Sequence, residues 1–95
     1  MKNREQELYT ILQEEAAEVI QAISKMNRFG KVAIGKVSGK YDNLKDIEQE
    51  IGDFLGVLKL LSDEGFLNGE RLMKAAEKKL KKLDIFMTNK RKSTS

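Results

Sequence analysis

Segment 43–62 is apolar around more than half of its circumference when it is read as an α-helix. One slender neighbouring helix cannot cover so wide a face, and the 95-residue chain has room for only one small domain. This segment therefore predicts a helical bundle that is completed by homo-oligomerisation. Its apolar residues are Ile47, Ile51, Phe54, Leu55, Val57, Leu58, Leu60 and Leu61.

Two further segments repeat the helical spacing, so the predicted fold class is all-α. The first helix is expected over about 4–26. The second begins with Asn43 as its N-cap, and the third covers about 69–87 after the N-cap Asn68. Gly52 and Gly56, four residues apart on the second helix, would allow another helix to approach closely. In the third helix the residues at core spacing are Leu72, Ala76, Leu80, Leu83 and Met87.

The glycine- and lysine-rich segment 30–42 is predicted to be a loop. Residues 31–34 have the composition of a short strand, but no partner for it is evident from the sequence. Residues 1–88 form one predicted helical domain. Residues 89–95 form a basic tail that is expected to be disordered.

Composition limits the chemistry that the chain can perform. Cysteine and histidine are both absent, which excludes a disulfide framework, a thiolate or imidazole metal site and a histidine general base. No apolar run is long enough to cross a membrane, and the start of the chain does not resemble a signal peptide. A cytoplasmic protein without membrane partners is expected. The lysine-rich third helix and tail are read as a solvated face rather than as a nucleic-acid site.

Two pairs of acids interrupt the apolar faces of the first two helices. Glu15 falls inside the apolar arc of the first helix, and Glu18 lies at the edge of that arc. Glu50 and Asp53 repeat the same spacing on the second helix. If the two apolar faces pack together, four carboxylates meet in one pocket, and either protonation or a cation must offset their repulsion. Without His or Cys, the expected ion is Mg²⁺ or Mn²⁺.

A solvated acidic face is the alternative interpretation of these residues. Glu14 and Glu18 would then lie in water near Lys25 and Arg28, and Glu15 would bend toward solvent. Periodicity and spacing alone leave both interpretations open.

The residues around the acids resemble a known family. EEAAEVIQAI at 14–23, followed by EIGDFLGVLKLL at 50–61, is similar to the MazG-like all-α nucleoside triphosphate pyrophosphohydrolase superfamily. That superfamily includes MazG, dimeric dUTPases and phosphoribosyl-ATP pyrophosphohydrolases. Its hallmark is an ExxE on one helix and an ExxD on the next. The similarity covers about residues 8–61.

The resemblance implies a homodimer or homotetramer that cleaves a nucleoside triphosphate to the monophosphate and pyrophosphate. It also implies Mg²⁺ as the cofactor, held by the two acid pairs. Glu14 matches the extra acid of the family's EExxE form, and Glu14 or Glu15 would orient the attacking water. Glu15, Glu18, Glu50 and Asp53 are the implied metal ligands.

Two cations follow the first acid pair and are candidates for phosphate binding. Lys25 lies two helical turns after Glu18, and Arg28 lies at the mouth of the loop. Favourable placement near a helix C-terminus explains both residues equally well. Two alternative functions remain: phosphoribosyl-ATP hydrolysis, and a non-catalytic interaction through the basic third helix and tail. The base and sugar of the substrate stay open.

Overall fold

Three helices make up most of the chain, which confirms the all-α class. The computed structural model describes residues 3–35 and 39–89, so most of the predicted basic tail lies outside the described residues. The elements in chain order are α1 (Arg4–Phe29), β1 (Val32–Gly35), β2 (Gly39–Asp42), α2 (Asn43–Asp63) and α3 (Gly69–Phe86).

Local side-chain hydrogen bonds set the start of α1, and glycine ends it. The Asn3 side chain accepts a hydrogen bond from the Gln6 backbone N–H at 2.9 Å, and Gln6 Oε1 accepts one from the Asn3 N–H at 3.2 Å. This reciprocal pair is a capping box. α1 extends three residues past its predicted end at Met26 and stops at Gly30, whose φ of 88° suits glycine.

The prediction of a loop over 30–42 is wrong for residues 32–35 and 39–42, and residues 36–38 lie outside the described residues. β1 and β2 pair as an antiparallel hairpin in which Val32 lies opposite Asp42 and Gly35 lies opposite Gly39. The short strand that was expected at 31–34 therefore does have a partner, which the second half of the same segment supplies.

Asn43 does not cap α2, as the sequence had suggested. Asp42 is the N-cap, and its Oδ1 accepts a hydrogen bond from the Lys45 N–H at 3.0 Å. Asn43 is instead buried, and its Nδ2 donates to the Gly30 carbonyl at 2.9 Å, while its backbone N–H donates to the Lys31 carbonyl at 2.8 Å. Asn43 thus ties the end of α1 to the start of α2.

α1 and α2 pack side by side in opposite directions and contain the core. Contacts at the end opposite the hairpin hold the pair together. The Arg4 guanidinium binds both Glu64 carboxylate oxygens at 2.6 Å, and the Tyr9 hydroxyl donates to the Phe66 carbonyl at 2.7 Å. The buried apolar residues among those described are Leu8, Ala22, Ile47 and Leu61.

α3 begins as predicted, because Asn68 Oδ1 accepts from the Arg71 N–H at 3.0 Å. The prediction that its apolar residues form core is wrong for the single chain, since no residue of α3 is buried. Leu80, for example, is 64% exposed. The physical reason is that α1 and α2 pack against each other, whereas α3 makes too little contact with either helix to bury a side chain. The residues concerned are Leu72, Ala76, Leu80, Leu83 and Met87.

Gly52 and Gly56 are not sites of close helix approach within the chain. A Cβ built at either position would meet no atom within 4 Å outside its own stretch of helix. Among the described residues, no helix is long and apolar enough to cross a membrane.

Candidate active site

Three carboxylates converge where α1 packs against α2. Glu15 comes from α1, Glu50 and Asp53 come from α2, and one oxygen of each lies within 4.8 Å of the others. Glu15 and Glu50 are half-buried and Asp53 is exposed. The convergence follows from the packing of the two helices, because Glu15 lies within the apolar arc of α1 and Glu50 and Asp53 lie three residues apart on α2. We refer to Glu15, Glu50 and Asp53 as the carboxylate cluster.

Two oxygens of this cluster are buried without a hydrogen-bond donor. Glu15 Oε2 and Glu50 Oε2 are shielded from solvent, and no described residue donates to either atom. A shielded anionic oxygen is costly unless a donor or a cation compensates it. All the ligands are hard oxygen donors, so the cluster fits a divalent ion such as Mg²⁺ or Mn²⁺.

Burial and mutual repulsion raise the pKa of both shielded acids. For Glu15, burial has the largest effect on the pKa, followed by the negative charges of Glu18 and Asp53. For Glu50, the main cause of its raised pKa is a hydrogen bond with Glu18, followed by burial. Glu18 is exposed, but its carboxylate reaches Glu50 at the edge of the cluster. The structure therefore groups three of the four predicted ligands, Glu15, Glu50 and Asp53, and places Glu18 at their edge.

Gln49 orients the exposed member of the cluster, a contact that sequence analysis missed. Its Nε2 donates to Asp53 Oδ1 at 2.9 Å. Holding one oxygen of Asp53 limits the directions in which the carboxylate can turn. The signal was present in the sequence, since Gln49 and Asp53 are four residues apart on one helix face.

A pocket of about 420 Å³ lies beside the cluster, toward the hairpin end of the helix pair. It begins at Glu18 and Glu50, so it is continuous with the acids. Lys25, a predicted phosphate contact, is among the residues that line it. The residues that line the pocket are Glu18, Gln21, Ala22, Lys25, Asp46 and Glu50.

Two other predicted site residues lie outside this pocket. Arg28 stacks over the ring of its neighbour Phe29, with 5.0 Å between the guanidinium carbon and the ring centroid, and both residues are exposed. Glu14 is exposed beside the cluster, and its charge makes the smallest contribution to the raised pKa of Glu15.

Comparison with family models identifies the domain. Residues 3–84 match the MazG nucleotide pyrophosphohydrolase domain, and the match includes both acid pairs and all three helices through Asp84. The chain belongs to this MazG family. No curated protein and no solved structure matches it. MazG-family membership supports nucleotide pyrophosphohydrolase activity at the family level, and such enzymes typically depend on a divalent metal.

Proposed function

We propose that this MazG-family protein hydrolyses a nucleoside triphosphate to the monophosphate and pyrophosphate in a reaction that requires Mg²⁺. The observation that carries the proposal is the pair of shielded, donor-free oxygens on Glu15 and Glu50, which converge with Asp53. Such a site is compensated by protonation or by a cation, and a cation serves both the site and the cleavage of a triphosphate.

In this proposal Glu15, Glu50 and Asp53 hold the ion, with Glu18 joining them from the edge of the cluster. When bound, Mg²⁺ supplies Lewis-acid charge stabilisation to the phosphate oxygens and makes water more acidic. Gln49 fixes Asp53 and so reduces the reorganisation that ligand binding would otherwise need.

The chain's own acids handle the proton of the attacking water. The water oxygen forms a bond to the α-phosphorus, the bond from that phosphorus to the bridging oxygen breaks, and pyrophosphate leaves. Glu14 or Glu15 orients the water and accepts its proton, since both lie on the α1 side of the cluster. Lys25, which lines the adjoining pocket, offsets phosphate charge. Arg28 is a second proposed phosphate contact from the hairpin end of α1, which requires it to leave the Phe29 ring.

We further propose that the active form is a homodimer or homotetramer. The radius of gyration is 17.2 Å, against about 12 Å for a compact chain of this length. The accessible surface is 8373 Å², against about 5,500 Å² for a compact monomer of this mass. The excess is of the size that a chain buries in a large obligate interface. The exposed apolar residues of α3 supply the surface for it.

The test is a substrate panel with product analysis. Purified protein is incubated with each common NTP and dNTP and with phosphoribosyl-ATP, in Mg²⁺ or in EDTA, and ion-exchange chromatography resolves the products. The proposal predicts monophosphate and pyrophosphate in Mg²⁺ alone. Diphosphate and phosphate would contradict the proposed cleavage site. Cleavage of phosphoribosyl-ATP alone would assign the reaction to that substrate. The absence of product from the whole panel would favour a non-catalytic role for the basic α3.

A further inference from the structure

The pocket beside the carboxylate cluster has a polarity that a phosphate chain does not match. Phosphate oxygens accept hydrogen bonds and carry negative charge. Of the pocket's residues beyond the cluster, Asp46 is an acceptor-only carboxylate, and Gln21 contributes a carbonyl oxygen as well as an amide N–H₂. Lys25 is the one cation that lines the pocket among the described residues. Asp46 would repel a pyrophosphate placed here.

The same groups match the nucleoside end of the substrate. Sugar hydroxyls and the exocyclic amino groups of bases donate hydrogen bonds, which a carboxylate oxygen or an amide oxygen can accept. Lys25 lies seven residues from Glu18, about 10 Å along α1, and Asp46 lies four residues from Glu50, about 6 Å along α2. Lys25 and Asp46 therefore lie one to two helical turns away from the acids. Ala22, which is buried, also lines this part of the pocket.

On this basis, and resting on the proposed function, we propose that Asp46 and Gln21 determine specificity by accepting hydrogen bonds from O–H or N–H donors of the nucleoside. Lys25 then neutralises the phosphate nearest to the nucleoside. The pyrophosphate leaves on the other side of the carboxylate cluster, away from the hairpin.

The test measures kcat/KM for matched nucleotide pairs in the wild type and in Asp46→Asn. One set of pairs differs only in the 2′-hydroxyl, as in ATP against dATP and CTP against dCTP. The other set differs only in the base amino group, as in GTP against ITP. The inference predicts that Asp46→Asn lowers kcat/KM for the donor-bearing member about tenfold. For the member without that donor, kcat/KM should change by less than about twofold, so the ratio of the two kcat/KM values should fall. The set in which the loss occurs identifies the donor.

Glu48→Gln is the matched control. It removes the same charge from an exposed position two residues further along α2, outside the pocket lining. It should leave every substrate ratio unchanged. Gln21→Ala provides a second variant, on the other helix, in case Asp46→Asn does not fold. It should lower the same ratio of kcat/KM values.

Three results would overturn the inference. Substrate ratios that are identical in the wild type, Asp46→Asn and Gln21→Ala would remove both residues from specificity. A uniform rise of kcat/KM in Asp46→Asn would show that the phosphates lie against Asp46. A wild type that cleaves no nucleotide would overturn the proposed function and this inference together, whereas an active wild type with unchanged ratios overturns this inference alone.

Discussion

The α1–α2 pair and α3 use their apolar residues in opposite ways. α1 and α2 bury Leu8, Ala22, Ile47 and Leu61 between or beside them, and hydrogen bonds join both ends of the pair. α3 has a regular apolar spacing and a satisfied N-cap, yet it buries none of its residues. One chain therefore gives α1 and α2 a shared core, although Ile20 and Leu55 stay exposed on them, and it leaves α3 without a packing partner.

This difference separates the candidate chemistry from the proposed assembly. All the acids of the site come from α1 and α2, so one chain preforms the carboxylate cluster. The exposed face of α3 contributes no acid to that cluster and, together with exposed residues of the pair such as Ile20 and Leu55, offers apolar surface to another copy. Substitutions in the two regions should therefore have different signatures: loss of metal binding and catalysis in one, and loss of assembly in the other.

The largest effect is expected from Glu15→Gln. It removes a proposed ligand whose shielded oxygen has no donor, so nucleotide hydrolysis should fall by more than about a hundredfold, beyond the loss typical of residues that only orient a ligand. In EDTA the same variant should melt at a higher temperature than the wild type, because a neutral amide replaces a shielded charge. Steady-state kinetics and thermal denaturation check the two parts. Glu48→Gln, an exposed acid on α2, should alter neither. Wild-type turnover in Glu15→Gln would contradict the site.

The next effect concerns α3. In an isolated chain Leu80→Asp would change stability by only about 0.5 kcal/mol, because Leu80 is 64% exposed. If the face is buried between copies, the variant should instead dissociate to monomers. Its melting temperature should also fall, since assembly stabilises the folded state. Sedimentation velocity measures the mass. Lys78→Asp introduces the same side chain on the polar face of α3 and should preserve the assembly. A wild type that sediments as a monomer at all concentrations would refute the proposed oligomer.

A smaller effect is expected from Gln49→Ala. Loss of the hydrogen bond to Asp53 should weaken Mg²⁺ binding about 10- to 100-fold without unfolding the chain, because Gln49 is exposed. Isothermal titration calorimetry measures the affinity. Glu48→Ala, on the preceding residue, serves as the control for helix propensity. Equal Mg²⁺ affinities in Gln49→Ala and the control would mean that the hydrogen bond from Gln49 to Asp53 does not contribute to Mg²⁺ binding.

The smallest effect is a pH dependence of metal-free stability. Because the pKa of Glu15 is raised above its ordinary value of 4.5, the folded state binds more protons than the unfolded state above that pH. The free energy of unfolding of the wild type should therefore fall, relative to Glu15→Gln, as pH rises from about 4.5. Taking the difference between the two proteins cancels the opposite contribution of Glu64, whose pKa Arg4 lowers. Chemical denaturation in EDTA at a series of pH values measures the free energy of unfolding of both proteins. If their difference does not change with pH, Glu15 is not shielded as described.

The sequence predicted the parts of the structure that depend on local spacing. Apolar periodicity located three helices, and the position of Glu15 inside an apolar arc predicted an acid at a helix interface. Asn68 could be predicted as a cap because its side chain accepts a hydrogen bond from a residue only three positions ahead. The carboxylate cluster was predictable for the same reason, since each acid pair has a fixed place on its own helix.

The features that the sequence did not reveal depend on contacts between distant segments. Asn43 and Asp42 are both good caps, and only the buried contact of Asn43 with Gly30 decides between them. The hairpin was missed because short strands gain stability from pairing rather than from their own composition. The exposure of α3 could not be predicted, because apolar spacing does not show whether the surface that covers a helix belongs to the same chain.

The central claim is that α1 and α2 build a divalent-cation site within one chain, and Mg²⁺ titration by calorimetry tests it most directly. Wild type and Glu50→Gln are titrated in parallel, because Glu50 Oε2 is one of the two shielded oxygens. The account predicts saturable Mg²⁺ binding to the wild type and its loss, or a severe weakening, in Glu50→Gln. Indistinguishable binding curves for the two proteins, or no saturable binding to the wild type, would contradict it.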